Sequence, residues 1–382
     1  MDLRITSISF DDFRNYERLR MAGLGGITVF VGRNAVGKTN VLEGIQLCTA
    51  LSSFRKPLVN QLIREGAHRA RVSLGLEDGN RLLETSLLLE DGKRSYFLNG
   101  KKKSVGNLKG LVPAVVFAPD HLDLAKKSSS VKRAALDDLG SQLSPSYHVV
   151  RRDYEKVVRY KNCLLKEEAS RSLIESIDET LLTCAFQLSL YRTALFDRIS
   201  AHVERIYGSI SDGAERFSAT YEPSWGALPE GETASRDALR ERIASCLRER
   251  SAEERARRKS LVGPHADTIS FQLDGRDAAN FASQGQQRSI VLAWKMAEVA
   301  LVEETLGQHP VLLLDDVMSE LDAHRRTALL SVVGDCVQTF VTTTTLSYFD
   351  GEFLDVVAGV VARHLDRLLM VMNWSGCEQS NN

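Results

Sequence analysis

Apolar positions along this chain follow two periods, and the places where the period changes divide it into three stretches. Near the N-terminus the period is two. LRITSISF (3–10) alternates, ITVFV (27–31) is a short apolar run, and residues 71–105, RVSLGLEDGNRLLETSLLLEDGKRSYFLNGKKKSV, predict three or four further strands. Asp78-Gly79, Asp91-Gly92 and Asn99-Gly100 punctuate that segment, and such dipeptides favour hairpin turns because glycine accepts positive φ. From Ser128 to Lys259 the pattern becomes helical. Leu181, Ala185, Leu188, Leu195, Ile199, Val203 and Ile206 fall on one face, with Gly208 as the expected stop. EPSWGALPEGETAS (222–235) predicts a loop, and RDALRERIASCLRERSAEERARRKS (236–260) a charged helix. From Gly263 onward strands return, then a helix after SQGQQ and the run VLLLDD (311–316); SGCEQSNN (375–382) is expected to fray. The simplest account is one α/β domain made from both chain ends, 1–127 and 260–382, with an α-helical arm, 128–259, inserted in its middle and an antiparallel β subdomain at its N-terminal side.

Composition narrows this picture without changing it. The chain has 382 residues, 43% hydrophobic and 26% charged, an ordinary globular balance sized for about two domains. Its N-terminus, MDLRITSISFDDFRN, has no apolar core of the kind a signal peptide needs, and runs such as 111–118 are too short to span a bilayer. Six scattered cysteines without a CxxC pair offer neither a zinc site nor a disulfide framework, so no membrane and a reducing cytoplasm are expected. The net charge of −1 means that a polyanionic partner must be held by a local patch.

Three segments carry candidate chemistry. Gly32-x4-Gly37-Lys38-Thr39 fits the phosphate-loop pattern, between the strand 27–31 and a helix with a buried stripe of Val41, Leu42, Ile45, Cys48 and Leu51. Its glycines let backbone N–H groups turn around a phosphate, Lys38 reaches the β/γ oxygens, and the Thr39 hydroxyl suits Mg²⁺. The wholly apolar PVLLL preceding Asp315 and Asp316 looks like a central parallel strand, with its carboxylates at the end where ligands bind. There Asp315 would hold Mg²⁺ and Asp316 would polarise the attacking water; the plainer alternative is a capping pair after an ordinary strand. In ANFASQGQQRSIVLAWKMAE (279–298), Ser283 is the expected N-cap of an amphipathic helix burying Ile290, Val291, Trp294, Ala297 and Leu301. A second phosphate-suited helix end makes sense if it serves a partner subunit's ATP; the alternative is a well-capped core helix. No Asn-Lys-x-Asp segment reads guanine, the histidines form no metal spacing, and no Ser-His-Asp set can be argued.

The order of these segments, closed by SELD (319–322), resembles the ATP-binding-cassette heads of the SMC type. FRNY (13–16), GRNAVGKTNVLE, SSFR (52–55), FAPDHLDL (117–124), RRDYEKVVRYKNCLL (151–165), GPHADTISFQLDG (263–275), FASQGQQRS and LLLDDVMSELD are similar, within that type, to the RecF family of bacterial recombination mediators over about residues 3–365. The resemblance implies an ATP site of Gly32, Arg33, Asn34, Ala35, Val36, Gly37, Lys38, Thr39, Asn40 and Arg55, with Mg²⁺ on Thr39 and Asp315. It implies that Lys38 and Asp316 act in hydrolysis. Ser283, Gln284, Gly285 and Gln286 would meet the partner's γ-phosphate, and Ser319 and Asp322 would lie on the dimer seam. It also implies an ATP-dependent homodimer on double-stranded DNA and gap junctions, a weak DNA-stimulated ATPase used as a switch, action with RecR and RecO in loading RecA, and the SOS response. Ala266 stands where the family has arginine, KKSSSVKRAA replaces a Gly/Pro-containing stretch, and FVTTTTLS lacks the histidine switch of transporter heads.

Cationic clusters offer phosphate contacts: Lys101, Lys102 and Lys103 foremost, then Arg151 with Arg152, and Arg255, Arg257, Arg258 and Lys259. The plainer reading is a solvated turn and charge-mixed helices. The arm is too short for the long coiled coil of an SMC protein, which also disfavours an SMC-like nuclease partner. A small-molecule P-loop kinase and a transporter-type ATPase subunit are the alternatives. The first lacks a use for SQGQ, and the second would carry a glutamate after the acidic strand, a histidine switch and a small insert.

Overall fold

The computed structural model describes residues 3–226, 235–332, 337–349 and 370–374. The tail 375–382, most of the 222–235 loop, and Cys336 and Cys377 lie outside the described residues. In chain order the strands are β1 (Arg4–Phe13), β2 (Tyr16–Ala22), β3 (Ile27–Val31), β4 (Arg69–Glu77), β5 (Leu82–Glu90), β6 (Lys93–Leu98), β7 (Lys101–Lys103), β8 (Ala114–Phe117), β9 (Phe217–Glu222), β10 (Thr268–Leu273), β11 (Arg276–Asp277), β12 (Val311–Asp315), β13 (Thr339–Thr343) and β14 (Met370–Trp374). The helices are α1 (Lys38–Thr49), α2 (Val59–Leu62), α3 (Asp123–Lys126), α4 (Ser129–Leu143), α5 (Pro145–Lys166), α6 (Arg171–Ile210), α7 (Arg236–Arg257), α8 (Ala278–Phe281), α9 (Gln284–Leu306) and α10 (Ala323–Val332). They form two compact units, one of residues 1–122 with 288–382 and one of residues 123–287.

The first unit holds two sheets. Six antiparallel strands run in the order β2-β1-β4-β5-β6-β7, and five in the order β14-β3-β13-β12-β8, where β3, β13, β12 and β8 are parallel and β14 is antiparallel. Helix α1 packs against β12 and β13 of the parallel sheet and against β4 and β5 of the other. A single buried stripe is expected of α1; instead it is covered on nearly all sides, and even Glu43 has no solvent exposure. Gly44 is what permits this closeness, since a Cβ there would lie 2.4 Å from the Phe10 ring. The sheets are also joined by Gln338, which accepts from Ile5 N (2.7 Å) and donates to Ile5 O (2.8 Å) where a register shift in β1 interrupts the pairing with β4.

The second unit is helical but not wholly so. β9 pairs antiparallel with β10, and β10 with β11, which draws residues 260–287 into this unit, beyond the 128–259 expected of the arm. Nor does the 40-residue α6 stop at Gly208. It ends at Ile210, and Asp212 and Gly213 take the left-handed conformations that turn the chain. The interior of this unit carries ions that are paired: Arg192 grips Asp137 through Nε (3.1 Å) and Nη2 (2.9 Å), and Lys161 lies between Asp178 (2.5 Å) and Glu254 (2.6 Å).

The packing of α1 yields the first prediction. Gly44→Val should destabilise the protein by about 1–3 kcal/mol, because Phe10 has no room to retreat. Urea unfolding would show the midpoint falling at unchanged slope; an unchanged midpoint would mean that the Gly44–Phe10 contact is dispensable.

Candidate nucleotide site

The loop between β3 and α1 has the conformation that its glycines allow. Gly37, at φ 112°, is the N-cap of α1, and Ala35 is left-handed at φ 65°. Gly37 is required twice over, since a Cβ there would also fall 2.6 Å from Asn15 Nδ2 and 2.8 Å from the Tyr16 hydroxyl. Lys38 folds over the loop, its Nζ donating to the carbonyls of Gly32 (2.6 Å) and Arg33 (3.0 Å). Burial lowers its pKa, against the opposing pull of Asp316 and Asp315. Gly32, Arg33, Asn34, Ala35 and Val36 form the rest of the loop, with Arg33 to Ala35 exposed or half-exposed along its outer side.

The acidic strand completes the site. β12 lies between β13 and β8 and is buried along its length, and Asp315 ends it. Asp315 Oδ1 accepts from two hydroxyls, Thr39 (2.8 Å) and Thr342 (2.8 Å), so the α1 start and the ends of β12 and β13 converge on one carboxylate. Burial raises its pKa, opposed by those two bonds and by Arg55 and Lys38. Asp316 is left-handed (φ 51°), its N–H fixed by Thr342 O (3.2 Å) and Thr342 Oγ1 (2.9 Å). Its pKa too is raised, chiefly by burial. Asp316 Oδ1 is buried without a hydrogen-bond partner among the described residues. A hydroxyl and a carboxylate at one point, beside an orphaned carboxylate oxygen, suit a hard divalent cation with its water.

A second layer holds the site in place. Arg14 Nε and Nη2 donate to Glu43 (2.8 and 2.9 Å), and Ser53 Oγ donates to the same carboxylate (2.6 Å). Phe54 N donates to Gln46 Oε1 (2.8 Å), which ties the SSFR loop to α1 and leaves Arg55 exposed beside it. Arg55 Nη1 donates to Asn40 Oδ1 (3.1 Å).

In the other unit, Ser283 caps α9 as expected and forms a reciprocal pair: Ser283 Oγ accepts from Gln286 N (3.2 Å), and Gln286 Oε1 from Ser283 N (2.6 Å). Gln286 Nε2 donates to Glu215 Oε1 (2.6 Å), so its amide is engaged at both ends, while Ser283 and Gln284 are exposed and Gly285 half-exposed. Ile290, Val291, Trp294, Ala297 and Leu301 are fully buried.

Comparison with known proteins identifies the family and the fold. Residues 4–365 match the RecF/RecN/SMC N-terminal domain. The DNA replication and repair protein RecF of Gloeobacter violaceus is 36% identical over 357 residues, covering 92% of this chain and 94% of that protein. The chain belongs to the RecF family. The RecF of Halalkalibacterium halodurans is 33% identical over 357 residues, 92% of this chain and 95% of its own. Two solved structures of the recombination mediator protein RecF in the RecFOR pathway, one with ATP and one with ATPrS, each superpose with a TM-score of 0.84 at 28% identity. They cover 91% and 92% of this chain and 94% and 95% of theirs. The fold is that of the SMC/RecF ATPase head.

Ser319 is exposed, and its Oγ donates to Asp316 O (2.8 Å); Asp322 is exposed and accepts from Arg325 N (2.9 Å) at the start of α10. Lys101, Lys102 and Lys103 are exposed, but they form β7, the edge of the six-stranded sheet. Strand alternation puts Lys102 on one face and its two neighbours on the other, and lysines on an edge also discourage edge-to-edge aggregation. Arg151 pairs with Asp138 (2.8 Å) and Glu155 (2.9 Å), and Arg257 with Glu253 (2.9 Å). No helix among the described residues is long and apolar enough to cross a membrane.

Sequence reasoning missed Thr342, Asn15, Arg14 and Glu43. All four lie inside the segments FRNY, GRNAVGKTNVLE and FVTTTTLS, but only the tertiary pairing shows their partners.

The raised pKa of Asp315 sets a pH dependence. The folded state holds this proton more tightly than the unfolded chain does, so stability is lost as pH rises from the ordinary aspartate range through the raised value. In the absence of metal and nucleotide, Asp315→Asn should therefore be more stable than the unsubstituted protein at about pH 7, with the difference closing towards about pH 4. Urea titrations across that range check it; a pH-independent difference would contradict the assignment.

Proposed function

We propose that this chain is an ATP-dependent DNA-binding protein of recombinational repair and replication restart, acting in the cytoplasm as a homodimer that closes on duplex DNA at gap junctions. The observation that carries the nucleotide part is the convergence of Thr39, Asp315 and Thr342 beside the lysine-topped loop. Lys38 leaves its carbonyl partners in the loop to reach the phosphate oxygens. Thr39 and Asp315 hold Mg²⁺, whose chemistry when bound is to neutralise charge on the phosphoryl oxygens. Asp316, with one buried oxygen unengaged, orients and deprotonates the attacking water. Aspartate reaches less far than glutamate, which favours a slow reaction, a switch more than a metabolic turnover.

The dimer part rests on the second helix end. The Ser283–Gln286 pair leaves the Ser283 hydroxyl, Gln284 and Gly285 at the opening of α9, where N–H groups and the helix dipole attract an anion. These residues serve the γ-phosphate bound by a partner subunit, with Ser319 and Asp322 on the seam, so ATP closes the dimer and hydrolysis opens it. Lys101–Lys103 supply sequence-independent DNA contacts. The similarity to solved structures of RecF in the RecFOR pathway supports action with RecR and RecO, and the family resemblance implies a part in loading RecA.

Sedimentation with and without ATP–Mg²⁺ and a gapped duplex tests this. ATP should convert monomer to dimer, the duplex should join the dimer, and Lys38→Met should abolish both. Asp316→Asn should keep the ATP-bound dimer while hydrolysis falls by about 10²-fold or more. A protein that binds ATP as a monomer and ignores DNA would make a small-molecule kinase the better reading.

A further inference from the structure

Three parts of the nucleotide site meet on Asn15, in the turn between β1 and β2. Its Nδ2 donates to the carbonyl of Val36 in the phosphate loop (3.1 Å), and its Oδ1 accepts from Asn40 Nδ2 (2.8 Å). Asn40 Oδ1 in turn accepts from Arg55 Nη1 (3.1 Å). Every donor in this run points the same way, from the Arg55 guanidinium through two amides to a backbone carbonyl. An amide that spends its N–H₂ on one side presents its oxygen on the other, so each link orients the next, and bonds in such a series polarise one another.

The geometry at the carbonyl end extends the effect into the loop. The peptide between Val36 and Gly37 is planar and trans, so fixing the Val36 C=O towards Asn15 turns the Gly37 N–H to the opposite side of the plane. Asn15 and Tyr16 fill the space against Gly37 so closely that a Cβ there would lie within 2.8 Å of either side chain. The turn carrying Asn15 is itself anchored, because the preceding Arg14 is held by the fully buried Glu43, and Glu43 also takes Ser53 of the Arg55 loop. The relay and this clamp run side by side from the same turn to the same loop.

We infer that Asn15 is a positioning residue that sets the Arg55 guanidinium and the Gly37 N–H in one frame, and so gives the site its preference for a nucleoside triphosphate over a diphosphate. The inference rests on the nucleotide reading above. Lys38 and the loop serve either nucleotide. Arg55 is an exposed cation beside the loop, 5.7 Å from the Phe54 ring, and it aids the third phosphate while Asn40 and Asn15 orient it beside the start of α1. An arginine released from that relay would spend its entropy in being re-ordered at each binding event.

Titration calorimetry with ATP–Mg²⁺ and ADP–Mg²⁺ on the full chain tests this, using the unsubstituted protein, Asn15→Ala, Asn15→Asp, Arg55→Ala and the double variant Asn15→Ala/Arg55→Ala. Asn15→Ala should weaken ATP about tenfold while ADP changes less than about threefold, and the double variant should be no weaker for ATP than Arg55→Ala alone, as coupled residues require. Asn15→Asp keeps the acceptor for Asn40 but loses the donor to Val36 O, and should behave like Asn15→Ala. Equal weakening of ATP and ADP with additive effects would overturn the inference and leave Asn15 as support for the fold alone. Should Asn15→Ala not fold, Asn40→Ala cuts the same relay one bond further on and must show the same ATP-selective loss. Binding of neither nucleotide by the unsubstituted protein would instead overturn the nucleotide reading, and this inference with it.

Discussion

Everything in the proposed chemistry depends on one buried carboxylate and the two hydroxyls that point at it. Asp315 ends a strand of the parallel sheet that is buried along its length, where an ionised group is costly to hold, and its pKa is displaced accordingly. Thr39 lies 276 positions away and Thr342 27 positions away. Two distant parts of the chain must therefore fold into one sheet before the site exists. The parallel pairing of β3, β13 and β12 accomplishes this, with Ile27–Val31 in register with Thr339–Thr343, and Leu312–Asp315 with Thr339–Thr342. The burial of α1 between two sheets then fixes the phosphate loop that opens it. A residue as remote as Phe10 constrains the site by touching Gly44.

Such burial has a cost that the surrounding residues offset locally. Glu43 is withdrawn from water but holds Arg14 in a two-bond grip and takes the Ser53 hydroxyl. Removing one partner of such a set leaves the others stranded, which is why the second layer is as constrained as the residues it supports. Asp316 is an exception, and its unengaged buried oxygen and left-handed backbone mark a place where bonding is left incomplete. Incomplete bonding at the end of a central strand is a feature that ligands or water satisfy.

The parts of this site that could be read in the sequence are those whose chemistry is local. Gly32-x4-Gly37-Lys38-Thr39 and the apolar run before Asp315 each specify a conformation within a few residues, and the Ser283–Gln286 cap is a four-residue device. What escaped was tertiary. Thr342 sits among four consecutive threonines, where β propensity alone accounts for the composition. Asn15 acquires meaning only from Val36 and Asn40. The strand β9 was hidden because its six residues stand alone between helical stretches, and its partner β10 lies beyond the helix that follows it. Gly208 misled because small residues are tolerated within a helix as long as α6, whose turn is made by Asp212 and Gly213 instead. The three lysines of β7 were legible as exposed, but the division of their side chains between two sheet faces follows from the pleat.

The central claim is that each nucleotide site is completed by the α9 opening of a second copy. Complementation measures this directly. Lys38→Met lacks a working phosphate loop and Ser283→Arg a working helix opening, so each alone should fail to hydrolyse ATP. In an equimolar mixture, the mixed dimer pairs one intact loop with one intact opening, and the account predicts that hydrolysis returns. An inactive mixture under conditions where the unsubstituted protein hydrolyses ATP and the two variants associate would contradict it.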